Sequence, residues 1–186
     1  MCDLNRVTFW VIAGEVAYIL CLIALGIAVV LAGSIIGAAD NVGLMLLAIA
    51  FAVAATGSFT AALLEVDKCG GGPCQAEWQD MRTALIQVLL TLALFTVELV
   101  ALVAVATVPF AGAAAILAFL QIFMVFTVAT SSFFEMTFAR KIEGFNTCQA
   151  DAALPTIATV AVFFARMAGY AAIIWVLFAT FTYFQG

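Results

Sequence analysis

A helix needs about 20 predominantly apolar residues to cross the hydrocarbon core of a bilayer. Five stretches of this chain qualify, at residues 7–36, 42–64, 81–107, 110–138 and 155–183. In hydrocarbon every backbone N–H and C=O must be satisfied within the protein, and a helix does so within one segment. The expected fold is therefore an all-α integral membrane protein. It is a bundle of five transmembrane helices, two helical hairpins plus one, in a single polytopic domain spanning residues 1–186. Five crossings place the N- and C-termini on opposite sides.

The breaks between segments carry turn chemistry. Residues 37–41, Gly-Ala-Ala-Asp-Asn, form a short turn, and Val108-Pro109 with Gly112 forms another. Without that second turn, residues 82–138 would be one helix about 85 Å long, far more than a bilayer needs. Polar loops are expected at 65–80, around Gly70-Gly71-Gly72-Pro73, and at 139–154, with Pro155 in the first turn of the fifth helix. The motif Ala55-Thr56-Gly57-Ser58-Phe59 returns as Ala129-Thr130-Ser131-Ser132-Phe133, which suggests that the two hairpins repeat.

Charged residues make up 9% of the chain, against about 25% in soluble domains. A net charge of −5 leaves no basic stripe for phosphates, so nucleic acid is not an expected partner. There is no histidine, which removes the usual axial ligand of haem and the commonest ligand of catalytic zinc. No cofactor and no metal site is assigned. The first apolar run is longer than a signal-peptide core and reads as a retained helix.

Arg6, Lys68, Arg82, Arg140 and Lys141 all fall on the N-terminal side of the predicted bundle, and Asp40 is the charge in the opposite turns. By the positive-inside rule, the N-terminus and the cysteine-bearing loops are expected on the cytoplasmic, matrix or stromal side, with the C-terminus opposite. Trp10 and Trp78 suit the inner boundary, Trp175 and Tyr183 the outer.

Helical spacing predicts where the intramembrane polar residues point. Glu15 lies within about 40° of Gly26, Gly33 and Gly37, a face suited to close helix packing. Gln87, Thr91 and Glu98 align on the third helix, Gln121, Ser132 and Glu135 on the fourth, and Thr159, Arg166 and Tyr170 on the fifth. One polar stripe per helix, turned inward, is the expectation. An arginine in a span needs a carboxylate, so an Arg166–Glu98 ion pair is expected, with Glu15 as the other partner for Arg166.

Of the five cysteines, Cys21 lies inside the first helix and reads as packing. Cys2, Cys69, Cys74 and Cys148 share the N-terminal side. Three accounts stand open for them: free or structural thiols, disulfides such as Cys69–Cys74 or Cys74–Cys148, and a metal site. Disulfides conflict with a reducing cytoplasmic face, so that account would reverse the orientation. A small helical bundle with loop cysteines resembles the bacterial membrane oxidases that make disulfides and the vitamin K epoxide reductases. Those families carry Cys-x-x-Cys near a quinone. This chain has no Cys-x-x-Cys, and the resemblance assigns no role to its residues.

Three functions follow as expectations. The first is a small non-catalytic subunit packing against other membrane protein subunits, or against itself, and against lipid. In that role Phe119, Phe123, Phe126, Phe133, Phe134 and Phe138 offer a face for lipid, quinone or pigment. The second is a small proton or ion transporter or channel whose path uses Glu15, Glu98, Glu135 and Arg166. The third is a membrane thiol-disulfide oxidoreductase.

Overall fold

The computed structural model describes residues 3–33, 41–70, 72–108 and 110–185. Cys2, Gly37, Asp40 and Pro109, which carry expectations above, lie outside these residues. The elements are α1 (Leu4–Ala32), α2 (Val42–Val66) with a 3-10 turn at Asp67–Cys69, α3 (Gln75–Thr107), α4 (Ala113–Asp151) and α5 (Thr159–Gln185). All five helices are long and apolar enough to cross a membrane, and no strand occurs among the described residues. Large apolar side chains such as Leu90, Val97, Phe126, Ile174 and Leu177 point outward, each more than 60% exposed. Such a surface fits a multi-pass membrane protein and not a domain dissolved in water.

Local chemistry sets the helix ends. The Asp3 carboxylate accepts the amides of Asn5 and Arg6 at 3.1 and 3.3 Å and so starts α1. Gly33, at φ 74°, ends it in the left-handed conformation that a side chain resists. Gly112, at φ 96°, precedes α4, and the chain turns there as the sequence predicts. At the far end of α4, Leu154 N–H donates to Gln149 O at 2.8 Å and Ala153 N–H to Ala150 O at 3.1 Å. With Ala153 at φ 55°, this closure satisfies carbonyls that the helix leaves open.

The helices differ from the expected spans where polar sequence begins. The stretch 139–154, expected as a loop, is helical through Asp151, and α3 starts at Gln75 rather than at Met81. Within 65–80, only a short connection separates α2 and its 3-10 turn from α3. Conversely, α1 stops at Ala32 and α5 begins at Thr159, after Pro155. Hydropathy reports what hydrocarbon tolerates, whereas a helix continues as long as one of its faces is covered. Phe138, Ile142, Phe145 and Gln149 keep a buried face going beyond the apolar span. With 39 residues, α4 is about 58 Å long, so roughly half of it exceeds a hydrocarbon core of about 30 Å.

Each helix buries a seam whose residues alternate three and four apart. On α2 the seam is Met45, Ala48, Ala52, Ala55, Phe59, Ala62 and Val66, and on α5 it is mainly Ala161, Ala165, Ala168, Ala172 and Ala179. This spacing is that of helices packed with knobs in holes at shallow angles. Alanines at the seam let backbones approach closely, which matters where lipid supplies no hydrophobic drive. Each helix packs on the next in sequence, and α5 closes on α1, so the five form a ring. The suggested hairpin repeat does not carry into three dimensions: Phe59 is fully buried, whereas its counterpart Phe133 is 65% exposed.

Candidate functional site: a buried carboxyl pair at the bundle axis

In a ring of five, α1 and α4 are not neighbours, so their inward side chains meet in the interior. Glu15 on α1 and Glu135 on α4 are both at 0% exposure, and their carboxyl groups face each other. Among the described residues, none of their four oxygens has a donor on any other residue. Burying a carboxyl without a partner is costly, and burying two together without a cation is the arrangement that hydrocarbon tolerates least.

The surroundings are built from neighbouring turns of the same helices. Tyr18, one turn after Glu15, is fully buried and meets Ser131, one turn before Glu135. Ser131 Oγ donates to Val128 O at 3.0 Å, which leaves the Tyr18 hydroxyl to donate to Ser131. The Tyr18 ring packs edge-on against Phe95 of α3, with centroids 6.2 Å apart. Deeper in the bundle, Thr127 Oγ1 donates to Glu98 Oε1 at 2.6 Å, and Glu98 Oε2 has no partner. Gln121 is buried further along α4.

Arg166 does not join this group. It lies 2.7 Å from Glu143, with the two side chains 47% and 53% exposed, and the expected pair with Glu98 does not form. The reason lies in α5 itself, whose inward face is the alanine seam. Thr159, Arg166 and Tyr170 all point outward. The rule of one inward polar stripe per helix therefore fails on α5. Gln87 is only half-buried.

The glycines also redistribute. Gly33 is the end of α1, with nothing within 4 Å of where a Cβ would stand, and Gly26 sits 3.9 Å from the Trp175 ring by the same measure. Trp175 is itself buried between α1 and α5. The contact that does require glycine is Gly14, where a Cβ would stand 2.8 Å from the Phe59 ring. Spacing from Glu15 did not single it out. Tyr18, Ser131 and Thr127 were missed as well, although Tyr18 follows Glu15 by three positions and Ser131 precedes Glu135 by four.

At the end where α1 begins, Cys74 and Cys148 form a disulfide that ties the start of α3 to the end of α4. Cys69 is disulfide-bonded as well, and Cys21 is free and buried. The account of free loop thiols is thereby corrected for Cys69, Cys74 and Cys148, and so is the metal account, because an oxidised sulfur offers no thiolate. Beside the disulfide lies a surface cavity of about 550 Å³, lined among others by Asp3, Cys74, Phe145, Gln149 and Leu154. Between it and the carboxyl pair, α4 presents Phe145, Ile142 and Phe138, all buried.

Several charges at this end are paired. Lys68 meets Glu65 at 2.8 Å, Arg82 meets Asp67 at 2.5 Å and Lys141 meets Asp80 at 2.6 Å, in addition to Arg166–Glu143. Each of the four pairs has at least one partner more than a third exposed, and none lies among the buried groups of the interior. Comparison of the chain with protein-family models, with curated proteins and with solved structures returned no match.

Proposed function

We propose that this chain is a small membrane transporter that moves protons, or a solute coupled to them, by way of the Glu15–Glu135 pair. One observation carries the reading: two fully buried carboxyl groups face each other with no other partner and no cation. Their charge has to be balanced from outside the chain, and a shared proton does so with the least room. Ionisable groups at such depth are costly to keep, and a proton relay is a function that repays the cost. Purified protein in liposomes loaded with a pH-sensitive dye tests this. Replacing either residue, as in Glu135→Gln, is expected to lower proton flux by about 100-fold. Full flux in both single variants would leave the pair as a helix connector only. A sodium or potassium gradient applied in parallel separates protons from small metal cations.

A second reading, the non-catalytic subunit of a larger assembly, is supported by a different observation. Phe119, Phe123, Phe126 and Phe133 form one outward row on α4, each at least 40% exposed, wide enough for lipid or for another helix. Gentle extraction followed by sizing tests it, and a clean monomer counts against it. The oxidoreductase reading has less support, because Cys74 is buried and its disulfide ties two helices together.

For orientation, disulfide chemistry favours the reverse of the charge rule. Disulfides persist in oxidising compartments, so we place the disulfide end, with Asp3, on the extracytoplasmic side and the C-terminus inside. The positive-inside arrangement remains the opposing reading. Labelling intact cells with a membrane-impermeant reagent at a tag on either terminus decides between them.

A further inference from the structure

We infer that Glu98 is a second proton-holding station, reached from the Glu15–Glu135 pair through the hydroxyls of Tyr18, Ser131 and Thr127. This rests on the proton-moving reading above and gives that site a direction. The buried polar groups of the interior are not scattered. Along α4 they follow one another as Glu135, Ser131, Thr127 and Gln121, all at most 5% exposed. Glu135 to Thr127 is about 12 Å along the helix, and Glu135 to Gln121 about 21 Å.

This row has two hydrogen-bonded links, Tyr18 to Ser131 and Thr127 to Glu98, separated by one helical turn, about 6 Å. Glu98 is 3% exposed, and its Oε2 is a buried acceptor with no partner. On the other side of the pair the same α4 seam is apolar: Phe138, Ile142 and Phe145 stand between Glu135 and the cavity at the disulfide end. Hydroxyls lie toward Glu98, and a hydrocarbon plug lies toward the disulfide.

The transfer balances with water as its carrier, one molecule between the pair and Tyr18 and one between Ser131 and Thr127, neither of them consumed. A proton leaves the carboxyl pair for a bridging water, that water gives one to the Tyr18 oxygen, and Tyr18 passes its own to Ser131. Ser131 turns its hydroxyl away from Val128 O and gives its proton to a water that spans the turn, that water gives one to Thr127, and Thr127 hands its own to Glu98. Each hydroxyl ends with the proton count it began with, the pair has lost one and Glu98 has gained one.

The test compares Glu135→Gln, Glu98→Gln, Tyr18→Phe and Thr127→Val with the unaltered chain. It uses dye-loaded liposomes and infrared difference spectra after a pH jump. Glu98→Gln is expected to lower proton flux by about 100-fold and the two hydroxyl variants by about tenfold. In the spectra, Glu98→Gln should remove one protonated-carboxyl band and leave that of the pair, while Tyr18→Phe should delay the Glu98 band. Thr127→Val leaves Glu98 in place, so it serves if Glu98→Gln does not fold. If Glu135→Gln abolishes flux while Glu98→Gln and Thr127→Val keep it, the Glu98 station is wrong and the pair's role stands. If Glu135→Gln keeps full flux, the proton-moving reading itself falls. Spectra with no band lost in Glu98→Gln would overturn the station independently of any flux.

Discussion

Two parts of α4, less than three turns apart, handle charge in opposite ways. Lys141 and Glu143 reach Asp80 and Arg166 at 2.6 and 2.7 Å, with every one of these side chains between 42% and 59% exposed. Glu135 has no exposure, another acid beside it and no cation. At the disulfide end, water already solvates each charge, so a partner adds little and its absence would cost little. Inside the bundle the described residues offer the Glu135 carboxyl no donor and no cation, only a second carboxyl. Abundant pairing is thus a weak indicator of function here, and missing pairing a strong one.

That contrast is broken most severely by opening the stapled end. The Cys74–Cys148 bridge joins residues 74 positions apart. Cys148→Ser, or reductant, is expected to cost about 2–4 kcal/mol, read as a lower melting temperature in detergent. A melting temperature that ignores reductant would mean that the extended ends of α3 and α4 hold by packing alone. A change of comparable size and opposite sign is expected in the interior. Replacing both members of the pair, Glu15→Met with Glu135→Met, should raise stability by about 1–4 kcal/mol while abolishing proton flux. Destabilisation there would show that the carboxyls hold the helices together.

Packing around the pair gives a third expectation. Gly14→Ala drives a methyl into the Phe59 ring and should cost about 1–3 kcal/mol. Phe59→Leu in the same chain should recover part of it, as measured by thermal unfolding. The smallest effect belongs to the exposed pair. Arg166→Leu should cost less than about 1 kcal/mol, with a coupling to Glu143→Gln of a few tenths. Its combination with Glu98→Gln should be additive, and a coupling there would return Arg166 to the interior.

Much of the architecture was legible from residues alone. Five long apolar runs divided by Gly112 and by the glycine-rich connection before Cys74 give five helices, because backbone hydrogen bonding in lipid leaves few alternatives. Glu15, Glu98, Glu135 and Gln121 were legible as inward groups for the same reason: outward, each would face hydrocarbon. Arg166 is not legible as an exposed group because the apolar run starts at Pro155, whereas the helix itself starts only at Thr159. A helix boundary error of a few residues moves a side chain several ångströms toward water. The stretch 139–151 was misjudged because its charges hid the seam of Phe138, Ile142 and Phe145.

Composition and periodicity thus determined the class of this protein, its number of long helices and the identity of its interior acids. They act through short-range physics: what a segment of chain does in oil, and which residues share one face of a helix. Only the tertiary structure decided that Glu15 meets Glu135 and not Arg166, that Cys74 reaches Cys148, and that Gly14 rather than Gly33 is the close contact. Each of those depends on which helices stand across the ring from one another. No local pattern encodes that, because it is settled by the packing of all five seams at once.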